Sequence, residues 1–140
     1  MDWTRLWGQA AAAWQDQLAH VRDPKAPTPA GTWVVHELVS HIESEGRSLA
    51  PGGNGAVDLP METLDLAVHA WDLSRATTSP LTLSDELCLA LLEAFEPYVH
   101  LMAQDDAFAP PIPVSDTAAA QDRLIALTGR DPSWQADSDG

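Results

Sequence analysis

Apolar residues recur every three or four positions along much of this chain, and that spacing is typical of helices that bury one face. The first such stripe, within residues 2–22, consists of Trp3, Trp7, Ala10, Trp14, Leu18 and Val21. Gln9, Asp16 and Gln17 are expected mostly elsewhere on the surface of this helix. No segment keeps a period of two between turns, so the sequence predicts no strand and an all-α fold.

Prolines and glycines separate the first helix from four more, because neither residue type sustains a helix interior. The four cover Trp33 to about Gly46, Pro60 to about Thr77, a cap at Thr82 or Ser84 to Met102, and about Thr117 to Thr128. In the second helix, the expected core residues are Val35, Leu38, Val39 and Ile42. Pro97 is predicted to kink or split the fourth helix.

Length and charge limit the class of protein. The chain has 140 residues, 45% of them hydrophobic, which is enough for the core of one domain. We expect that domain to cover residues 1–134, with an acidic, disordered tail at 135–140. The formal net charge of -14 would repel phosphate backbones and anionic lipid headgroups. The sequence therefore predicts neither a nucleic-acid partner nor a membrane partner.

Cysteine usage and the start of the chain indicate a compartment. Cys88 is the only cysteine, so the chain can form no internal disulfide and no cysteine-based zinc cluster. We expect Cys88 to be a small core residue of the fourth helix. No apolar run approaches the roughly 20 residues of a membrane span, and Met1–Arg5 does not resemble the basic start of a signal peptide. These features predict a cytoplasmic protein.

The third predicted helix carries polar residues on an apolar face. Asp65, His69 and Asp72 are spaced by four and then three residues, so they share one side of a helix. The same side carries three apolar residues expected to point inward, Met61, Leu64 and Val68. Two acids and an imidazole are costly to bury unless they are paired or coordinate something.

The second predicted helix offers a matching histidine. His41 lies one turn beyond Leu38, close to the direction that this helix buries. His41, Asp65 and His69 could therefore converge on a divalent ion such as Zn²⁺, Ni²⁺, Mn²⁺ or Fe²⁺, with positions left for water or substrate. Asp72 is expected to orient a ligand or to pair with Arg75 rather than to bind the ion. In the alternative interpretation, Asp65 and His69 form only a structural hydrogen bond.

Four segments resemble a known family. Residues 27–41, PTPAGTWVVHELVSH, resemble the TP…W-x-x-x-x-L-x-x-H start of helix two in actinobacterial relatives of the mycothiol-dependent maleylpyruvate isomerase metal-binding domain. Residues 64–77, LDLAVHAWDLSRAT, resemble that family's D-L-x-x-H-x-W-D-L-A-R-A-T helix. Residues 108–114 and 122–134 resemble its closing segment. The matches occur in order and together cover most of the chain.

The resemblance implies a DinB-like four-helix bundle, here followed by a short C-terminal helix. It also implies a divalent metal held by His41, Asp65 and His69, where the isomerase itself has a glutamate at the position of Asp65. Such domains tend to serve thiol-dependent reactions, in which the metal holds a thiol such as mycothiol as its thiolate. The implied activity is therefore a thiol-dependent transferase or isomerase with a small-molecule substrate.

The connection between helices two and three departs from the family pattern. Only about 23 residues separate His41 from Asp65, so the chain resembles an internally shortened member with a reduced crossover. A parallel pair, an antiparallel hairpin and an exchange of helices between two chains are each compatible with this length. The shortening would uncover an apolar face, which predicts a homodimer. It also favours a second hypothesis, a non-catalytic dimeric module or small-ligand binder that has lost the family reaction.

Overall fold

Helices form the regular structure of the computed structural model, which describes residues 2–44, 59–99 and 108–135. They are α1 (Trp3–Leu18), α2 (Val35–Ser44), α3 (Leu59–Thr77), α4 (Asp85–Phe95) and α5 (Ala120–Leu127), with a 3-10 turn at Glu96–Tyr98. Those ranges contain no strand, and their one isolated β-bridge joins Pro27 to Val34. The all-α prediction is confirmed. None of the described helices combines the length and the apolarity needed to cross a membrane.

The starts of α2 and α5 lie later than the sequence predicts. α2 begins at Val35 rather than Trp33, because the side chain of Glu37 accepts a hydrogen bond from the Val34 N–H at 3.0 Å. This contact is half of a capping box, which makes Val34 the cap of the helix. α5 begins at Ala120 rather than near Thr117, because the preceding residues form a turn in which Ala118 donates to the Ser115 carbonyl at 3.0 Å.

α1 ends at Leu18, so Val21 of the predicted stripe lies beyond the helix. The limits of α3 agree more closely with the prediction. α3 begins at Leu59, one residue before Pro60, and ends at Thr77. Pro97 lies in the 3-10 turn that follows α4, so the predicted break of the fourth helix is confirmed. The predicted ends at Gly46 and Met102 lie outside the described residues.

The chain divides into two compact units, one formed by the described residues up to Leu81 and the other by Thr82–Trp134. In the first unit, α1 and α2 both pack on α3. Every residue of α3 from Glu62 to Ser74 is buried, so this helix is enclosed on all sides rather than on one stripe. The single domain over residues 1–134 stays a prediction, and residues 136–140 of the predicted tail lie outside the described residues.

Several side chains of the first unit differ from the expectation based on periodicity, and one of them is Met61, which was expected to point inward but is only half-buried. Gln17 is fully buried rather than on the surface, and its amide Nε2 donates to the Pro80 carbonyl at 3.1 Å. A polar side chain can be buried at low cost when its donor is satisfied in this way. Val39 is only half-buried, whereas Val35, Leu38 and Ile42 are core residues as predicted.

In the second unit, α4 packs on α5. Both helices bury apolar side chains that solvent does not reach, among them Leu91 of α4 and Leu124 of α5. Cys88 is fully buried, as predicted. Burial raises the pKa of the Cys88 thiol to about 12, and the nearby Asp85 carboxylate acts in the same direction. The thiol is therefore a neutral core group at ordinary pH.

Candidate metal centre

One side of α3 carries four ionisable residues that are almost completely removed from solvent. Glu62, His69 and Asp72 are fully buried, and Asp65 is 2% exposed. Successive members are three, four and three residues apart, which places them in one row along the helix. Carboxylates in such surroundings need hydrogen bonds or a cation to offset their lost hydration. The face predicted from the spacing of Asp65, His69 and Asp72 is therefore present and is deeply buried.

Asp72 orients the imidazole of His69. The Nδ1 atom of His69 lies 2.9 Å from Oδ2 of Asp72, within hydrogen-bond distance. Because an ionised carboxylate only accepts, this bond places the ring proton on Nδ1 and leaves a lone pair on Nε2. Metal-binding histidines in proteins are commonly held by a carboxylate in this way. The expectation that Asp72 orients a ligand agrees with this contact.

The opposite nitrogen of His69 is directed toward Asp65. Its Nε2 atom lies 3.9 Å from Oδ1 of Asp65. That separation is too long for a hydrogen bond, which argues against the interpretation in which these two residues form only a structural hydrogen bond. It is close to the spacing of two atoms bound to one ion, because bonds of about 2.1 Å in tetrahedral geometry place ligand atoms about 3.4 Å apart.

His41 reaches the same place from α2. Its ring centroid lies 5.4 Å from that of His69, with the two ring planes at 78°. One ligand atom from each of His41, Asp65 and His69 lies within 4.8 Å of the other two. A separation at that upper limit has to close by roughly 1.4 Å for all three atoms to bind one ion in tetrahedral geometry. The three residues meet within one chain, so no exchange of helices is needed to assemble them.

The cluster is a set of two imidazoles and one carboxylate. Such a set suits Zn²⁺, Fe²⁺ and related first-row cations, and it leaves coordination positions for water or another molecule. The side chains of Asp65 and Asp72 contribute negative charge in a buried place, which a divalent cation would offset. The arrangement can therefore supply three protein ligands to one cation.

Two residues near the cluster were not identified from the sequence. Glu62 is fully buried on the same row of α3, and the signal that could have indicated it is its position seven residues before His69. The sequence indicates Trp33 only as the start of a helix and as part of a motif, but its indole packs against His41 with centroids 4.9 Å apart and the planes inclined by 47°. Glu45, which the spacing also brings one turn beyond His41, lies outside the described residues.

Comparison of the chain with protein-family models, with curated proteins and with solved structures finds no match. The observations that point to a function are therefore the cluster itself and the resemblance of the four sequence segments.

Proposed function

We propose that this protein binds a divalent metal ion through His41, Asp65 and His69. The observation that carries the proposal is the convergence of three ligand atoms, from two helices, within 4.8 Å of one another. The hydrogen bond between His69 and Asp72 supports it, because that bond fixes the ring with its Nε2 atom 3.9 Å from the Asp65 carboxylate.

We further propose a DinB-like four-helix bundle and a thiol-dependent transferase or isomerase activity, with mycothiol as a candidate co-substrate. The sequence resemblance supports this step. A bound cation would act as a Lewis acid and lower the pKa of a coordinated thiol. His41, Asp65 and His69 hold the cation, and Asp72 keeps the proton of His69 away from it. A coordination position not taken by these side chains would receive the thiol.

Elemental analysis of untagged protein tests the metal proposal. We expect about one equivalent of a first-row divalent metal per chain, and loss of that metal in His41→Ala and in His69→Ala. The matched control is His36→Ala, which removes an exposed histidine from the same helix as His41. Folded protein that holds no metal after exposure to Zn²⁺, Ni²⁺, Mn²⁺ and Fe²⁺ would contradict the proposal.

A second candidate is a metal-binding or small-ligand-binding module without catalysis. The observation that favours it is the carboxylate of Asp65, which is one methylene shorter than the glutamate of the isomerase and lies 3.9 Å from His69 Nε2. Metal-loaded protein that transfers or isomerises a thiol adduct, with turnover abolished in folded His69→Ala, would exclude this candidate. Homodimer formation stays a prediction of both candidates and is measured by sedimentation of the purified chain.

A further inference from the structure

The imidazole of His41 contacts two other rings. One is His69, with centroids 5.4 Å apart. The other is Trp33, whose ring centroid lies 4.9 Å from that of His41 with the planes inclined by 47°. An aromatic contact at this distance restricts the rotation of the smaller ring. His41 is half-buried, so the surrounding core alone does not enclose it as it encloses His69.

Trp33 is itself fixed by the loop before α2. Its backbone N–H donates to the Ala30 carbonyl at 3.1 Å, and its carbonyl accepts from the hydroxyl of Thr28 at 2.7 Å. The same hydroxyl accepts from the Ala30 N–H at 3.1 Å, and Thr28 is only 3% exposed. Both backbone polar groups of Trp33 are therefore satisfied within the loop, which holds the residue in one conformation.

Two further contacts join this loop to the first turn of α2. Pro27 and Val34 form an antiparallel bridge, and the Val35 N–H donates to the Ala26 carbonyl at 3.0 Å. The indole is thus carried by a segment that is tied to the same helix as His41. Any movement of the loop relative to α2 has to break these hydrogen bonds first.

We infer that Trp33 is a positioning residue for the cation site, because its indole holds the imidazole of His41 in the orientation that directs a ring nitrogen toward Asp65 and His69. A histidine on a helix has more than one accessible χ1 rotamer. The Trp33 ring packs against the imidazole at 4.9 Å, so a change of the His41 rotamer would have to give up this contact. This inference rests on the proposed function, since the orientation matters only if His41 binds an ion.

Titration with Co²⁺, whose visible absorption reports coordination geometry, tests the inference. We expect Trp33→Ala to weaken Co²⁺ binding by about 10- to 100-fold, the range found when a residue supporting a metal ligand is removed. Its bound Co²⁺ should also show an altered visible spectrum. Trp33→Phe keeps an aromatic face against His41 and should restore affinity to within about threefold of wild type. The matched control is Trp134→Ala, a half-buried tryptophan of the other unit.

A variant outside the ring contact covers the case in which Trp33→Ala does not fold. Thr28→Val removes the hydroxyl that donates to the Trp33 carbonyl but leaves the indole in place. We expect it to weaken Co²⁺ binding less than Trp33→Ala would and to alter the Co²⁺ spectrum in the same direction. Wild-type affinity and spectrum in every folded variant of Trp33 and Thr28 would overturn the inference.

The outcome for wild-type protein separates this inference from the proposed function. If wild-type protein binds no Co²⁺ and no Zn²⁺, the metal proposal fails and the positioning role fails with it. If wild-type protein and Trp33→Ala bind Co²⁺ equally well, only the positioning role fails. The ring contact is checked independently in metal-free protein labelled with 5-fluorotryptophan, in which His41→Ala should shift the ¹⁹F resonance that Trp33→Phe removes.

Discussion

Helices α3 and α4 both bury many side chains, but those of α4 are apolar, whereas those of α3 include several ionisable groups. α4 buries Leu87, Cys88, Leu91, Leu92 and Phe95, which contribute stability simply by leaving water. α3 buries four ionisable side chains in one row beside its apolar residues. Burying such groups costs free energy unless partners satisfy them. The buried face of α4 therefore contributes to stability, whereas the polar row of α3 contains two of the three residues that could hold a metal ion.

The largest expected effect is in α4. Leu91 is fully buried, so Leu91→Ala should lower the free energy of unfolding by about 2–5 kcal/mol. The same change at Leu89, which is 49% exposed on the same helix, should alter it by less than about 0.5 kcal/mol. Urea denaturation of both variants provides the measurement. The loss of unfolding free energy in Leu91→Ala should be the same with and without added Zn²⁺. A loss that depends on Zn²⁺ would contradict the distinction between α4 and α3.

Added metal should stabilise the folded protein through the polar row of α3 and not through α4. Free Zn²⁺ at 100 times its dissociation constant should raise the free energy of unfolding by about 2.7 kcal/mol, because the ion binds the folded state. His69→Ala should abolish this increase, while the exposed His36→Ala should keep it. Thermal unfolding in Zn²⁺ and in chelator measures the effect. An equal Zn²⁺-dependent increase in His69→Ala would show that the ion binds at another site.

The buried thiol of Cys88 in α4 should make the stability of the protein depend on pH. The pKa of Cys88 is raised from 9.0 to about 12 by burial and by Asp85. The unfolded state therefore loses the thiol proton above about pH 9 while the folded state keeps it, and stability should fall as the pH rises from 9 toward 12. The fall attributable to Cys88 should approach about 1.4 kcal/mol per pH unit. Urea denaturation between pH 8 and 11, compared with Cys88→Ala, isolates this contribution, and equal slopes for the two proteins would refute it.

The smallest expected effect concerns the end of α3. Thr78 has a φ of 57°, and its neighbour Ser79 donates to the Ser74 carbonyl at 2.9 Å. This is the geometry of a Schellman cap, in which glycine is the usual residue at the position of Thr78. Thr78→Gly should therefore raise the free energy of unfolding by about 0.5–1 kcal/mol, because it relieves a conformation that β-branched residues rarely adopt.

The matched position at the end of α5 should respond in the opposite direction. Gly129 has a φ of 88°, and Arg130 donates to the Ile125 carbonyl at 3.2 Å in the same cap geometry. A Cβ at Gly129 would lie 2.5 Å from the Cβ of Ala109. Gly129→Ala should therefore destabilise the protein in the same denaturation series. A stabilising effect there, or a destabilising effect of Thr78→Gly, would contradict the assignment of these caps.

Much of the site was predictable because its spacing is local. Asp65, His69 and Asp72 lie on one helix, so the helical repeat alone places them on one face. His41 was harder to predict as a ligand because it belongs to another helix. Only its position near the buried side of that helix indicated that its side chain points inward. The meeting of His41 with His69 depends on how α2 packs on α3, and periodicity carries no information on that packing.

Other features could not be predicted because the partner is distant in the chain or is a backbone group. Gln17 follows the polar side of the α1 pattern, yet it is buried because the Pro80 carbonyl accepts its amide hydrogen. Glu62 is buried because α3 is enclosed on all sides, whereas an amphipathic pattern would leave part of that helix at the surface. Trp33 acquires its contact with His41 from the loop held by Thr28, which helical spacing does not describe.

The amino-acid sequence alone predicted an all-helical chain and the positions of most of its helices, because helical periodicity acts over a few neighbouring residues. It also indicated which three side chains were candidates to bind a cation. Tertiary packing decided that α3 is enclosed, that His41 meets His69, and that Trp33 packs against His41. These contacts join different structural elements, and their free energy depends on shapes that form only when the helices and the loop pack together.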